Sequence, residues 1–216
     1  MIEATMKEKV KEFIVKNFKW IILFICLIGF LAIAENVFNK EIMNGDIVGY
    51  KLISTFLISD FATPIAKFIT NFGDAIFLTV LTIILFILIK NKKIGVSIFS
   101  NLVIITALNQ LLKNILQRPR PTEYRIIEET GYSFPSGHSM ISMAFYGYII
   151  YLIYKYVKNK YIKWISIVLL SILICSIGIS RIYLGVHYTS DVLVGFLISV
   201  SYLVIYISAV IKSFVL

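Results

Sequence analysis

Six long apolar runs constrain this chain most strongly, because together they occupy more than half of its 216 residues. They cover residues 18–38, 70–89, 94–112, 138–156, 162–179 and 188–211. A helix needs roughly 20 mostly apolar residues to cross a hydrocarbon core of about 30 Å. The runs also carry too few polar residues for helices that lie on a membrane surface. The pattern predicts an all-α, polytopic membrane bundle with six transmembrane helices, built as a single domain over residues 1–216.

The composition excludes several other classes of protein. Hydrophobic residues make up 59% of the chain and charged residues 15%, against roughly 45–50% and about 25% in soluble proteins. A net charge of +9 would suit a soluble nucleic-acid-binding protein, but the apolar content would not. Two cysteines are too few for a disulfide scaffold, and the hydrophobicity rules out disorder. We therefore expect the membrane, and no nucleic acid, among the partners.

The distribution of basic residues predicts the orientation of the bundle. With the N-terminus inside, the inner segments hold 13 lysines against three acids, and the outer segments hold eight bases against nine acids. Lysine and arginine are enriched in short cytoplasmic loops of membrane proteins. We therefore expect a multi-pass protein of the plasma membrane with both termini cytoplasmic, residues 1–17 forming the N-terminal cytoplasmic segment. An alternative for the first run is a signal peptide with cleavage after the Ala-Ile-Ala sequence at 32–34.

The outer segments contain all four arginines and both histidines. Arginine binds phosphate through a planar pair of donors, whereas lysine acts as a point charge. A cluster of these cations beside a bilayer predicts a site for a lipid that carries phosphate.

Two of the outer stretches would each supply part of such a site. Lys113 and Arg120 follow the third run, although a basic helix end is also common without any function. At the start of the fourth run, Ser136 is a candidate N-cap, and Gly137 allows close approach to the backbone. The first-turn amides would form an anion site facing His138, although a capped helix start with an incidental histidine fits equally well.

A third stretch combines Arg181 with His187 and Asp191. Residues four apart share one face of a helix, so Asp191 could fix the tautomer of His187 and leave its other nitrogen as a nucleophile. Alternatively, His187 and Asp191 form only a hydrogen-bonded polar pair at a helix start, without a catalytic role. Two histidines, with Cys26 and Cys175 inside apolar runs, make a poor ligand set, so we expect neither a metal nor another cofactor.

Taken together, these residues resemble the type 2 phosphatidic acid phosphatase superfamily of membrane lipid phosphatases. Its signature is K-x6-R-P, then P-S-G-H, then S-R-x5-H-x3-D, and every position is matched within the motif-bearing core at 94–211. A second Arg-Pro pair begins at Arg118, but the six-residue gap from Lys113 selects Arg120.

The resemblance implies metal-independent hydrolysis of a phosphate ester or diphosphate through a phosphohistidine. It implies that His187 is the nucleophile, that Asp191 orients it, and that His138 is the general acid. It also implies that the phosphate is bound by Lys113, Arg120, Ser136, Gly137 and Arg181. The membrane spans argue against the soluble haloperoxidases of the same superfamily.

The substrate is expected to be a lipid phosphate in the outer leaflet, and we favour undecaprenyl pyrophosphate. The alternatives are a phosphatidylglycerol phosphate or phosphatidic acid phosphatase, a lipid phosphotransferase, and a lipid-phosphate binder or flippase without turnover. The outer segment at 39–69 is either a simple connection, which we favour, or an amphipathic interfacial helix interrupted near Pro64 that gates lipid access.

Overall fold

The chain is helical throughout the residues that the computed structural model describes, 2–39 and 42–214. Eight α-helices and one 3-10 turn, Asn71–Gly73, follow one another, and no strand occurs within those residues. The α-helices are α1 Ile2–Phe38, α2 Asn44–Leu57, α3 Ala62–Thr70, α4 Ala75–Leu88, α5 Lys92–Leu116, α6 Gly137–Tyr156, α7 Lys160–Tyr183 and α8 Thr189–Phe214. The prediction of an all-α membrane protein is confirmed at this level.

Within the described part of the chain, four segments are long and apolar enough to cross a membrane: Val15–Phe38, Lys92–Leu116, Lys160–Tyr183 and Thr189–Val210. A fifth is formed if Ala62–Gly73 and Ala75–Leu88 act as one span, although they are bent by 52°. The bend falls inside the second predicted span, 70–89, where the 3-10 turn separates α3 from α4. The predicted number of six spans is therefore not confirmed, since four or five segments of the described residues meet this description.

Helix α6 is the predicted span that is missing from this set, and its surroundings explain why. It packs against α5, α7 and α8, and it buries the polar side chains of Ser139, Ser142 and Tyr148. The Tyr148 hydroxyl donates a 2.8 Å hydrogen bond to Ser97 Oγ on α5. A helix that faces other helices can carry polar groups that a lipid-facing helix could not.

The segment at 39–69 forms two helices, α2 and α3, although residues 40 and 41 lie outside the described part of the chain. The break between them falls at 58–61, so Pro64 is not the point of interruption. Pro64 instead lies in the first turn of α3, where a missing amide proton costs little. Both helices pack on α7, and α2 thereby approaches the end of the bundle that carries the three motifs.

Helix α1 is continuous through the two features predicted for the N-terminal region. The predicted cytoplasmic segment is helical from residue 2, and the candidate cleavage site at 32–34 lies within the same helix, which packs against α8. Residues 1, 215 and 216 lie outside the described residues.

A core of fully buried apolar side chains fixes α4 to α8 against one another. Its members come from all five helices and include Leu78, Ile105, Met140, Phe145, Ile177 and Val194. Burying such a side chain stabilises a fold by about 1.5–3 kcal/mol. This packing holds the C-terminal ends of α5 and α7 beside the N-terminal ends of α6 and α8.

Candidate active site

The three sequence motifs meet at that end of the bundle. Ser136 before α6 donates its backbone amide to the carbonyl of Asp191 on α8, at 3.1 Å. Arg120, in the loop after α5, places Nη1 3.1 Å from Nε2 of His187 in the α7–α8 turn. Each contact joins segments that are more than 50 residues apart in the chain.

His187 is held by both of its ring nitrogens. Nδ1 lies 3.3 Å from Asp191 Oδ2, which also accepts the backbone amide of Tyr188 at 2.9 Å. Arginine can only donate, so the Nε2 atom that faces Arg120 accepts and the proton resides on Nδ1, towards the carboxylate. Burial and the nearby charges of Arg181, Arg120 and Lys113 lower the pKa of His187 well below its ordinary 6.5. The imidazole is therefore neutral near pH 7, with a lone pair on Nε2.

The start of α6 differs in one detail from the sequence prediction. Ser136 does occupy the N-cap position, but its hydroxyl makes no capping bond to the backbone. It lies instead 2.9 Å from the hydroxyl of Ser139. The first-turn amides still form the positive end of the helix dipole.

Gly137 and His138 face two different neighbours at this helix start. A Cβ atom on Gly137 would lie 3.2 Å from Asn109 Oδ1 on α5. The ring of His138 lies against Gly73 in the 3-10 turn, where an added Cβ would come within 3.2 Å of it. The bend between α3 and α4 thus places the backbone of Gly73, which has no side chain, directly against His138.

The three cations predicted to bind phosphate bond to protein groups in this structure. Lys113 Nζ donates to the carbonyl of Tyr132 at 2.7 Å. Arg181 Nη1 donates to Thr70 Oγ1 at 2.8 Å, while its buried Nε has no partner within the described residues. Arg120 donates to backbone carbonyls at 3.0 Å, those of Thr130, Gly131 and Val186.

Glu129 was not among the predicted site residues, and its carboxylate lies between two of these cations. Its Oε1 accepts a hydrogen bond from Arg181 Nη2, and its Oε2 lies 3.8 Å from Arg120 Nη2. The same loop therefore supplies both a cation and an anion to the cluster. In sequence it was indistinguishable from the neighbouring Glu128.

Arg118 and Asp46 were also not among the predicted site residues, and they form a buried ion pair behind His187. Arg118 Nη2 bonds to Asp46 Oδ2, and its Nη1 bonds to Asp191 Oδ1, both at 2.7 Å. The K-x6-R-P spacing from Lys113 selects Arg120 and gives no role to Arg118. One clue was present in the sequence, because Asp46 is an acid in a segment rich in isoleucine, valine and leucine.

A cavity of about 590 Å³ opens beside His187. One wall is α2, with Tyr50 and Lys51, and the other is the loop at 121–124. The rings of Tyr50 and Tyr124 stack across it with centroids 4.7 Å apart. Neither the cavity nor its α2 wall was part of the predicted site.

The described residues contain no group of three or more histidine, cysteine, aspartate and glutamate side chains that could hold a metal ion. Cys26 and Cys175 are unpaired thiols within α1 and α7.

The chain is similar in sequence to known phosphatases. Phosphatidylglycerophosphatase B of Bacillus subtilis is 39% identical over 90 residues, which are 41% of this chain and 44% of that protein. The chain thus spans less than half of that relative's length. An undecaprenyl-diphosphatase of Sulfolobus acidocaldarius is 27% identical over 85% of this chain and 86% of its own.

A solved structure extends the similarity to the fold. The crystal structure of a transmembrane PAP2-type phosphatidylglycerolphosphate phosphatase from Bacillus subtilis matches with a TM-score of 0.78 and 26% identity. The match covers 88% of this chain and 96% of that one. The family model of the PAP2 superfamily matches residues 93–214, the segment that carries all three motifs. Since this is more than half of the chain, the protein belongs to the PAP2 superfamily, whose members hydrolyse phosphate esters and anhydrides.

Proposed function

We propose that this protein hydrolyses a lipid phosphate or diphosphate through a phosphohistidine formed on His187. The observation that carries the proposal is the geometry of His187, with Nδ1 facing Asp191 at 3.3 Å and Nε2 facing the guanidinium of Arg120 at 3.1 Å. A neutral imidazole in this tautomer is a competent nucleophile, and the phosphate would lie among the surrounding cations.

The reaction has two steps. In the first, Nε2 of His187 attacks phosphorus, the bond from phosphorus to the leaving oxygen breaks, and His138, protonated while the phosphate anion is bound beside it, gives that oxygen its proton. Asp191 balances the positive charge that forms on the imidazole. In the second, His138 takes a proton from water, the oxygen attacks phosphorus, and the P–N bond breaks to release phosphate and free His187.

Lys113, Arg120, Arg181, the Ser136 hydroxyl and the Gly137 amide would bind the other phosphate oxygens. Phosphoryl transfer depends mainly on positioning and on charge stabilisation, so fixed donors around the phosphorus supply what the reaction needs. The unpartnered Nε of Arg181 supports this assignment, because a buried donor without a partner costs free energy until an acceptor arrives.

The substrate class is a lipid-borne phosphate in the outer leaflet, with undecaprenyl pyrophosphate favoured. The Sulfolobus acidocaldarius relative supports this choice, because its alignment extends over most of both chains. Phosphatidylglycerol phosphate is the second candidate, and the fold match to the Bacillus subtilis phosphatase supports it. Both lipids carry their phosphate at the membrane surface while their tails stay in the bilayer.

The topology proposed with this function has six spans, with α6 and the α3–α4 pair included and both termini in the cytoplasm. The site would then face the extracytoplasmic side of the plasma membrane. The excess of lysine in the inner segments supports this orientation.

The test is phosphate release by the purified protein from a panel of lipids in the presence of EDTA. The panel contains undecaprenyl pyrophosphate, phosphatidylglycerol phosphate and phosphatidic acid. We expect turnover of at least one lipid, and we expect His187→Ala to reduce it by at least about 10³-fold, since a lost nucleophile removes the covalent route. Glu128→Ala, in the exposed part of the loop, is the control.

Substantial residual turnover by a folded His187→Ala variant would contradict the nucleophile assignment. Binding of a lipid phosphate without release of phosphate would instead indicate a binder or flippase. A phosphorylated lipid acceptor among the products would identify a phosphotransferase.

A further inference from the structure

Arg118 lies directly behind the His187–Asp191 pair, and both terminal nitrogens of its guanidinium are hydrogen-bonded. Its side chain is 5% exposed. Nη1 donates to Asp191 Oδ1 and to Ser190 Oγ, each at 2.7 Å. The guanidinium carbon also lies 4.0 Å from the centroid of the Tyr188 ring. These contacts fix the plane of the guanidinium relative to the start of α8.

Asp46 reaches the same point from α2, more than 70 residues earlier in the chain. Its Oδ2 pairs with Arg118 Nη2 at 2.7 Å, and its Oδ1 accepts the backbone amide of Ser190 at 2.8 Å. Asp46 is only 3% exposed. A carboxylate that is this deeply buried and that accepts two hydrogen bonds is a fixed part of the local structure and not a solvated surface group.

The orientation of Asp191 depends on this arrangement. Asp191 Oδ1 is bonded to Arg118, while Oδ2 receives the Tyr188 amide and faces His187 Nδ1. Rotation of the carboxylate would break a charge-assisted bond of 2.7 Å, which is among the stronger hydrogen bonds in proteins. Arg118 therefore fixes the orientation of the Asp191 carboxylate, with one oxygen on the guanidinium and the other facing the imidazole.

The charges of the cluster also suit a nucleophilic histidine. Arg118 alone would neutralise Asp191 and weaken its support for a positive imidazole. Because Asp46 shares the guanidinium, the two carboxylates and one arginine retain one net negative charge. That charge is available when His187 becomes positive during attack.

We propose that Arg118 is a positioning residue for the reaction, holding Asp191 towards His187, and that Asp46 anchors Arg118 and preserves the negative charge of the cluster. The proposal rests on the function proposed above. It assigns a role to the first Arg-Pro pair of the sequence and makes α2 part of the active-site structure.

The test compares Arg118→Met with Arg118→Lys in assays of phosphate release from a short-chain phosphatidic acid and from an isoprenoid diphosphate. We expect Arg118→Met to lower kcat by tenfold to a hundredfold while KM stays within twofold, because the phosphate contacts remain. Arg118→Lys should recover part of kcat, since one ammonium can still bond Asp191. Arg125→Met is the matched control, because Arg125 lies in the same loop and pairs with the exposed Glu128.

If Arg118→Met does not fold, the double variant Asp46→Leu with Arg118→Met is tested in its place. It removes both members of the buried ion pair and so leaves no unpaired charge of that pair in the interior. We expect it to be folded, as judged by thermal unfolding in detergent, and to keep the kcat defect. Wild-type kcat in either folded variant, or a loss confined to KM, would overturn the proposal. His187→Ala runs in parallel: if it remains active the proposed function fails, and if it is inactive while Arg118→Met is unaffected, only the present inference fails.

Discussion

Glu129 lies between Arg181 and Arg120, two of the residues that we propose bind the phosphate. Its carboxylate bonds to the first guanidinium and lies 3.8 Å from the second. A carboxylate and a phosphate oxygen present the same acceptor to an arginine. Substrate binding would therefore exchange one anion for another.

We expect Glu129→Gln to lower KM, and to lower the inhibition constant of inorganic phosphate, by about threefold to tenfold. The amide keeps the size of the side chain but removes the competing charge, and each 1.4 kcal/mol of affinity corresponds to a factor of ten. The measurement is steady-state kinetics on the best substrate of the panel, with phosphate as a product inhibitor.

Glu128→Gln is the matched control, since the Glu128 side chain is 91% exposed and pairs only at the surface with Arg125. A rise in KM for Glu129→Gln would mean that the carboxylate organises the arginines for substrate rather than competing with it.

The residues that sequence spacing could predict are those within short motifs. Lys113, Arg120, His187 and Asp191 were identified because each motif fixes local spacing and residue type, and the structure brings them together. Asp46, Arg118 and Glu129 were not identified, because their importance depends on partners brought close by folding. Asp46, for example, reaches Arg118 and the Ser190 amide only because α2 packs against α7 and α8.

At the scale of the elements, the α7–α8 turn sets the position of His187. Gly185 in this turn has φ of +69°, and a Cβ there would lie 2.1 Å from the carbonyl oxygen of Tyr124. The amide of Ile126 donates to the carbonyl of Leu184 at 3.0 Å, so the loop and the turn are joined at this point. Only glycine satisfies both the backbone conformation and the close approach.

We expect Gly185→Ala to destabilise the protein by about 2–4 kcal/mol, from left-handed strain and from the displaced loop. Phosphate release should fall at least tenfold, because His187 lies two residues further on. Thermal unfolding in detergent and kcat are the measurements.

Gly131→Ala separates the two causes, because Gly131 has φ of +72° with nothing within 4 Å of an added Cβ. This variant should lose only the stability that corresponds to left-handed strain. Equal losses in the two variants would show that the contact with Tyr124 contributes nothing.

Helix positions were more predictable than helix environments. The apolar runs at 94–112 and 162–179 lie within α5 and α7, because long apolar segments have few alternatives to a helix. The bend between α3 and α4 was not predicted, since neither flanking segment contains a proline at the break. Asp74 caps the N-terminus of α4 there by accepting the Ile76 amide at 2.8 Å. Such an N-cap starts a new helix, whose axis need not follow that of the helix before it.

At the scale of the whole molecule, the proposed orientation predicts which loops are accessible from outside the cell. In a background without Cys26 and Cys175, we expect Glu128→Cys to react with a membrane-impermeant maleimide in intact cells. Lys158→Cys, exposed between α6 and α7, should react only after permeabilisation. The reverse pattern would place the active site in the cytoplasm.

The polar interior of α6 has a consequence for the synthesis of the protein. A helix that buries Ser139, Ser142 and Tyr148 against its neighbours gains less from lipid alone than α5 or α7 does. Only three residues separate α6 from α7, so the two helices can leave the translocon together as a hairpin. The insertion of α6 would then be favoured by the greater hydrophobicity of α7. The helix that supplies His138 would then enter the bilayer together with α7, the helix that carries Arg181.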